Sequence, residues 1–331
     1  EQYWGDQPGT SGPVYVGAFV MMLFILGLFI VKGGIKWALL AATILSILLS
    51  WGHNFMPFTN FFLDYIPMYA KFRTVASILV IAEFTIPLLA MMALKKIIDE
   101  PEILNKKLKF VYISFGLTAG FCLLFLVMPG LFFSDFISAQ EMQAFRQIPQ
   151  EYLSQMLPNL RAMREAMFDA DCWRSFIIIA IGTLMLLLFK AKKLKETWLV
   201  AGIIILCGVD MWGVNKRYLH DDMFVDASVK DTPITMTESD KQILQDKGLD
   251  YRVLNLASNT FNENETSYYH KSIGGYHPAK LRRYQELIDY HIAPEMKAMM
   301  GAIAEAGGDM TKVNGDSIWP VLNMLNTKYV I

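Results

Sequence analysis

Cysteine is scarce in this chain, three in 331 residues. Cys122 and Cys207 fall inside strongly apolar stretches and Cys172 at the edge of another, so neither a disulfide framework nor a zinc set can be read from them. Net charge is nearly absent as well. Lys and Arg number 30 against 31 Asp and Glu, leaving −1, which excludes the basic face or stripe that nucleic acid requires. The opening EQYWGDQPGTSGP lacks a charged run followed by an apolar one and is no signal peptide. Charged residues make up only 18% of the chain and apolar ones 54%, too greasy a balance for a single soluble domain. The most telling absence is local: lysine is nearly missing from alternate loops.

Six stretches are long or apolar enough to cross a bilayer, which takes about 20 helical residues: 14–31, 37–49, 75–94, 110–128, 173–189 and 197–212. The loops 32–36, 95–109 and 190–196 hold 11 lysines: Lys32, Lys36, Lys95, Lys96, Lys106, Lys107, Lys109, Lys190, Lys192, Lys193 and Lys195. The alternate segments 1–13, 52–74 and 130–174 hold 6 Lys or Arg in three times the length. By the positive-inside rule the lysine loops are cytoplasmic. The sequence therefore predicts an α-helical polytopic membrane protein with about six spans over 1–212, carrying outward loops 52–74 and 130–174. A mixed α/β extracytoplasmic domain follows over 213–331, where the composition becomes ordinary. The chain starts on Glu1 and stops on Lys328-Tyr329-Val330-Ile331, which reads as a strand, so a fragment lacking both ends is expected.

In the first tail, Trp4 and Tyr3 suit the headgroup level of a membrane, and Trp4 with Asp6 could instead face a substrate. Loop 52–74 repeats Phe55, Phe58, Phe62, Tyr65, Tyr69 and Phe72 at three- and four-residue steps, one face of a helix. Pro57 suits its first turn, and Pro67 must break it before Tyr69. Two readings stand: a helix lying on the outer leaflet, with Asn54, Asn60 and Asp64 in water, or a groove where sugars stack on aromatic rings. Lys71 and Arg73 close the loop where cations could clamp a lipid phosphate, Arg through its planar fork; the plain alternative is snorkelling. Glu83 is expected as a buried intramembrane acid facing the bundle interior. Asp210 lies near the outer end of the sixth span, where solvation would leave it without a task.

Region 130–174 is too long for a plain connection. From Pro149 onward Leu153, Met156, Leu157, Leu160, Met163 and Met167 mark one helical face, with Arg161 and Arg164 off it; a packed helix or a lid over an outward cavity would show this pattern. Asp169, Asp171, His220, Asp221 and Asp222 match no cation loop and read as solvated surface. In the tail, Ser239 with Gln242 resembles a capping pair for a short helix ending at Gly248, and residues 251–256 read as a strand. Gly274-Gly275 permits a tight turn and Pro278 suits the first position of a helix. His277, Lys280, Arg282 and Arg283 around that turn leave two readings, a structural turn or an anion or glycan site. Asn264-Glu265-Thr266 has the form of a glycosylation triplet.

Taken in order, YWGDQPGTSGPVYVG, DYIPMYAKFRTVAS, YRVLNLA, GGYHPAKLRRYQELID and VLNMLNTKYVI resemble the YfhO-type bacterial membrane proteins, in a Bacteroidetes-like form. The resemblance covers essentially the whole chain and implies kinship with the GT-C superfamily of glycosyltransferases. Such enzymes pass a sugar from a polyprenyl-phosphate donor to a cell-envelope glycan or polymer at the outer face of the bacterial cytoplasmic (inner) membrane; no cofactor is expected, and no residue here is singled out as a metal ligand. Their acidic general base usually sits in the first outward loop, which the resemblance places upstream of residue 1. No residue here inherits that catalytic role by motif. By position and chemistry Lys71 and Arg73 are expected at the donor phosphate, Tyr65 and Tyr69 at sugar or lipid, and Lys280 or Arg282 at the acceptor. A transporter or flippase for lipid-linked sugars, and a non-catalytic envelope assembly protein, are the alternatives.

Overall fold

The computed structural model describes residues 14–71, 74–133, 135–146, 148–277, 279–308, 312–313 and 319–331, the side chain of Lys71 excepted. The chain divides into two units, Glu1–Met223 and Phe224–Ile331.

The first unit is a helical bundle: α1 (Ala18–Ile30), α2 (Ile35–Ser50), α3 (Met56–Tyr65), α4 (Val80–Asp99), α5 (Ile103–Lys106), α6 (Leu108–Val127), α7 (Ala139–Phe145), α8 (Gln150–Lys190) and α9 (Glu196–Tyr218). Four helical stretches are long and apolar enough to cross a membrane, Val75–Asp99, Leu108–Val127, Gln150–Lys190 and Glu196–Tyr218. By length and composition the described residues thus hold fewer candidate spans than the six expected. The described part of α1 has 13 residues, about 20 Å at 1.5 Å per residue, short of a hydrocarbon core about 30 Å thick. The second expected span, α2, continues through a 106° bend into Gly52–Tyr65, and only the bent pair together makes a fifth. Gly52 turns that corner with φ +50, where a Cβ would sit 2.8 Å from Val75 Cγ2, and Thr59 Oγ1 donates to its carbonyl at 2.7 Å.

α1 is buried on most of its circumference, through Phe19, Met22, Leu23, Phe24, Leu26 and Ile30, and α4, α6 and α8 pack around it. A helix apolar on every side belongs inside a bundle. Close approach comes from glycine: a Cβ on Gly182 of α8 would lie 2.2 Å from Phe19 Cδ2, and one on Gly27 of α1 would lie 2.9 Å from Leu89 Cγ of α4. Small residues play this part where lipid removes the hydrophobic drive between helices. Thr43 and Thr85 share a hydroxyl hydrogen bond of 2.7 Å between α2 and α4, and Lys36 Nζ donates to Leu28 O in the last turn of α1 at 2.7 Å.

The outward helix expected from Pro149 and the span expected from 173 are one helix, α8, of 41 residues. The arginines placed away from its packed face are engaged: Arg164 is buried, bonding Glu141 through both nitrogens at 2.6 and 2.9 Å and Phe136 O at 2.8 Å. Arg161 grips Asp135 with a similar fork at 2.7 and 2.9 Å. Each arginine holds its carboxylate partner below the usual carboxyl range. Met163, expected on the packed face, is exposed. Rings of Phe125, Phe133 and Phe136 surround Phe168 at 5.3–6.0 Å and fasten the segment before α7 to the bundle.

The second unit holds α10 (Glu238–Ile243), β1 (Arg252–Leu254), α11 (Glu265–Tyr269), α12 (Arg282–Leu287), a π turn (Ile288–Ile292) leading into α13 (Ala293–Glu305), α14 (Pro320–Met324) and β2 (Thr327–Val330). The boundary falls later than residue 212 because α9 runs on to Tyr218. The expected strands at 251–256 and at the end of the chain are present as β1 and β2. They pair in parallel, Val253 facing Tyr329 and Leu254 facing Val330; parallel neighbours need a crossover, which the intervening helices supply. Leu254, Ile273, Ile288, Ile292, Met299, Trp319 and Leu322 form the core. Glu295 of α13 accepts the N–H groups of Val321 and Leu322, both at 2.9 Å, and so holds the first turn of α14. The cap of α10 is Thr237 with Asp240, not Ser239 with Gln242, and the helix ends at Ile243 rather than Gly248.

Lys328 Nζ and Tyr329 Oη of β2 both donate to Asp246 Oδ2, at 2.5 and 2.9 Å, tying the strand to the segment after α10. The Lys328 hydrogen bond leads in holding the Asp246 carboxyl down to about 2. A depressed folded-state value stabilises above the unfolded aspartate range, about 3.9, and that contribution disappears as pH falls toward 2. In Asp246→Asn the acid unfolding of the second unit, followed by hydrogen exchange of the β2 amides in the whole protein, should begin from lower stability and respond less to pH between about 4 and 2. Equal slopes in both proteins would count against this tie.

Candidate functional site

The bend after α2 places α3 and its aromatic rings beside the helical bundle. Pro57 sits in the first turn of α3, and the helix ends at Tyr65, ahead of Pro67, with Met68 at φ 70. Rings then step along one side: Phe55 to Phe58 at 5.7 Å, Phe58 to Phe62 at 5.0 Å, Phe62 to Tyr69 at 5.5 Å. Tyr65 departs from this ladder. It leans on Phe61 at 5.3 Å and is 72% exposed, because the helix ends at that residue. Asn54, Asn60 and Asp64 are exposed as expected, but so are Phe61, Leu63, Ile66 and Met68. Tyr69 opens the short turn Tyr69–Lys71. The side chain of Lys71, the whole of Arg73 and Phe72, and Trp4 and Asp6 in the first tail lie outside the described residues.

Glu83 stands in the first turn of α4, half-buried, with exposed Ile81 and Phe84 on either side, within the stretch Val75–Asp99.

The polar cluster that sequence reasoning passed over lies where α1 begins and α9 ends. Asp210 of α9 is 2% exposed. Its Oδ2 accepts from Tyr15 Oη at 2.8 Å and from the Ala18 N–H, the first of α1, at 2.9 Å. Its Oδ1 faces Arg174 Nε of α8 at 3.7 Å, and the Arg174 guanidinium lies 5.4 Å over the Tyr15 ring. One turn earlier on α8, Asp171 takes both arms of Arg217 from α9, at 2.5 and 2.7 Å, with Arg174 at 3.6 Å. Two acids and two bases thus neutralise one another across α8 and α9, the condition under which buried charge is tolerated. Neither Asp171 nor Asp210 is the solvated surface residue expected. The readable signal was spacing: Asp171 and Arg174 lie three apart, Asp210 and Arg217 seven apart, so each helix offers one acid and one base on a single face.

In the second unit the Gly274-Gly275 turn is obligatory. A Cβ on Gly274 would come within 1.9 Å of Thr260 O, and Gly275 has φ +103. Three of the residues expected around that turn have local partners. Pro278 lies outside the described residues, and helix α12 begins only at Arg282. Lys280 Nζ rests 5.6 Å over the Phe261 ring, His277 Nδ1 accepts the Ala279 N–H at 3.1 Å, and Arg282, 92% exposed at its side chain, bonds Glu286 at 2.9 Å. A pair not singled out in the sequence is buried instead: His270 Nε2 and Asp240 Oδ1 lie 2.8 Å apart. Burial raises the Asp240 carboxyl, but hydrogen bonds from Thr237 and His270 outweigh it and leave it lowered. Thr266 of the glycosylation triplet is buried, its hydroxyl bonded by Asn255 at 2.9 Å.

Among the described residues no three His, Cys, Asp or Glu side chains gather as a metal site. Asp221 is paired with Lys216 at 2.5 Å, and His220 lies 3.7 Å from Asp222. No protein-family model, no curated protein and no solved structure matches the chain.

Proposed function

We propose that the chain is a GT-C-type membrane glycosyltransferase that handles a polyprenyl-phosphate-linked sugar at the outer face of a bacterial cytoplasmic membrane, with its second unit extracytoplasmic. The observation that carries the reading is the ring ladder from Phe55 to Tyr69, set beside a bundle of apolar helices, with Lys71 and Arg73 the next cations in the sequence. Ring faces supply the apolar surface on which a sugar or an isoprenoid lies, and a cation pair at its end would meet the phosphate. The lysine asymmetry among loops gives the orientation.

In this scheme a carboxylate removes the proton of the acceptor hydroxyl, whose oxygen bonds to the anomeric carbon. The bond from that carbon to the phosphate oxygen breaks, and the lipid phosphate leaves with the electron pair, its charge met by Arg73 and Lys71. The acceptor-side role of Lys280 and Arg282 finds less support, since both are engaged locally.

Membranes containing the protein, given radiolabelled polyprenyl-phosphate sugars and an envelope-polymer fraction, should transfer label to polymer. Arg73→Ala should cut transfer on the order of 100-fold, the scale seen when a donor to developing charge is removed, and Tyr69→Ala should chiefly raise the donor concentration required. Transfer that persists undiminished in Arg73→Ala would remove the clamp from the scheme, and absence of transfer with every donor would remove the enzyme.

A further inference from the structure

The helix α7 is too short for the stretch of α8 that it covers. Its seven residues span about 10 Å, whereas α8 rises about 21 Å between Gln150 and Arg164. Both ends of the cover are fixed. At one end the chain turns directly from α7 into α8. At the other, Asp135 and Glu141 are held by Arg161 and Arg164, Ser138 and Glu141 form a capping box, and Ile137 is buried. Between this segment and the first turns of α8 lies a half-open groove of about 490 Å³, the arch of α7 over α8.

The walls decide what fits. Met142 and Phe145 of α7 face Leu153 and Leu157 of α8, with Arg146 and Arg161 the charged members and no acidic residue in the lining. The fork of Arg161 is spent on Asp135. Arg146 is exposed and has no carboxylate within ion-pairing distance among the described residues. A cavity of this size takes a drug-sized molecule, for which about 300–1,000 Å³ is usual, and is too small for a long polyprenyl chain. Flexible methionine and leucine walls accept an alkyl chain without demanding a shape.

We propose that the arch of α7 over α8 is a binding site for a short single-chain anionic amphiphile, its chain among Met142, Phe145, Leu153 and Leu157 and its carboxylate or phosphate on Arg146. This site is separate from the ring ladder and does not depend on sugar transfer.

The test uses the whole protein in zwitterionic nanodiscs, photolabelled with a diazirine analogue of dodecanoate, with the label mapped by peptide mass spectrometry. Label should concentrate between residues 142 and 161 and be displaced by dodecanoate or dodecyl phosphate but not by dodecanol; the better displacer identifies the head group. Arg146→Gln should weaken displacement by the anions on the order of tenfold, the scale of one charge-assisted hydrogen bond. Leu153→Trp, which fills the cavity, should abolish the local label while leaving the folded yield unchanged. Label scattered over the membrane helices, equal displacement by dodecanol, or undiminished local label in Leu153→Trp would overturn the proposal. Should either variant fold poorly, the displacement series on the unaltered protein decides alone.

Discussion

Asp210→Leu is expected to destabilise the bundle by about 3–5 kcal/mol, the range for removing one partner of a buried pair. The loss is compound. Tyr15 loses its acceptor, the first N–H of α1 loses its cap, and Arg174 is left with only Asp171 at 3.6 Å. Asp210→Asn keeps a neutral oxygen for Tyr15 and Ala18 while removing the charge facing Arg174, so it should fall between leucine and the natural residue. A double variant with Arg174→Met should recover part of the leucine loss, since the stranded cation is then gone. Apparent melting temperature in mild detergent, followed by size-exclusion chromatography after heating, ranks the four proteins. Asp210→Leu melting with the unaltered protein would mean that the cluster contributes nothing to holding α1, α8 and α9 together.

The second large effect lies deeper in the bundle. Gly182→Ala adds one methyl 2.2 Å from the ring of Phe19, and Phe19 is 1% exposed, with no open space into which to swing. Overpacking of this kind costs about 1–3 kcal/mol, and here it would push α1 away from α8. Gly116→Ala and Gly120→Ala on α6 are the controls, because a Cβ at either site meets nothing within 4 Å. They should be neutral or slightly stabilising by helix preference. The same heating assay distinguishes the outcomes, and a Gly182→Ala protein as stable as the two controls would mean that the α1–α8 contact is slack.

Local pattern carried a good deal of the fold into the sequence. The aromatic repeat and the two prolines located α3 to within a residue or two, and the two strands of the second unit followed from their β-branched and aromatic runs. What escaped was relational. The burial of α1 could not be told from its residues, because every long helix here is apolar and lipid and protein look alike to such a surface. The continuity of α8 was hidden by Asp169 and Asp171, which read as solvated surface although Asp171 is paired with Arg174 and Arg217. Lys280 and Arg282, close in sequence, are held apart by separate partners, a ring in one case and a glutamate one turn along in the other.

The unbroken α8 also has a mechanical meaning. A rod of 41 residues is about 60 Å long, about twice the thickness of a hydrocarbon core. A tilt of about 10° at one end of such a rod, well within the range of spanning helices, sweeps the other end sideways by about 10 Å. In the proposed topology the same tilt would carry with it the segment before α7, which Arg161 and Arg164 tie to α8.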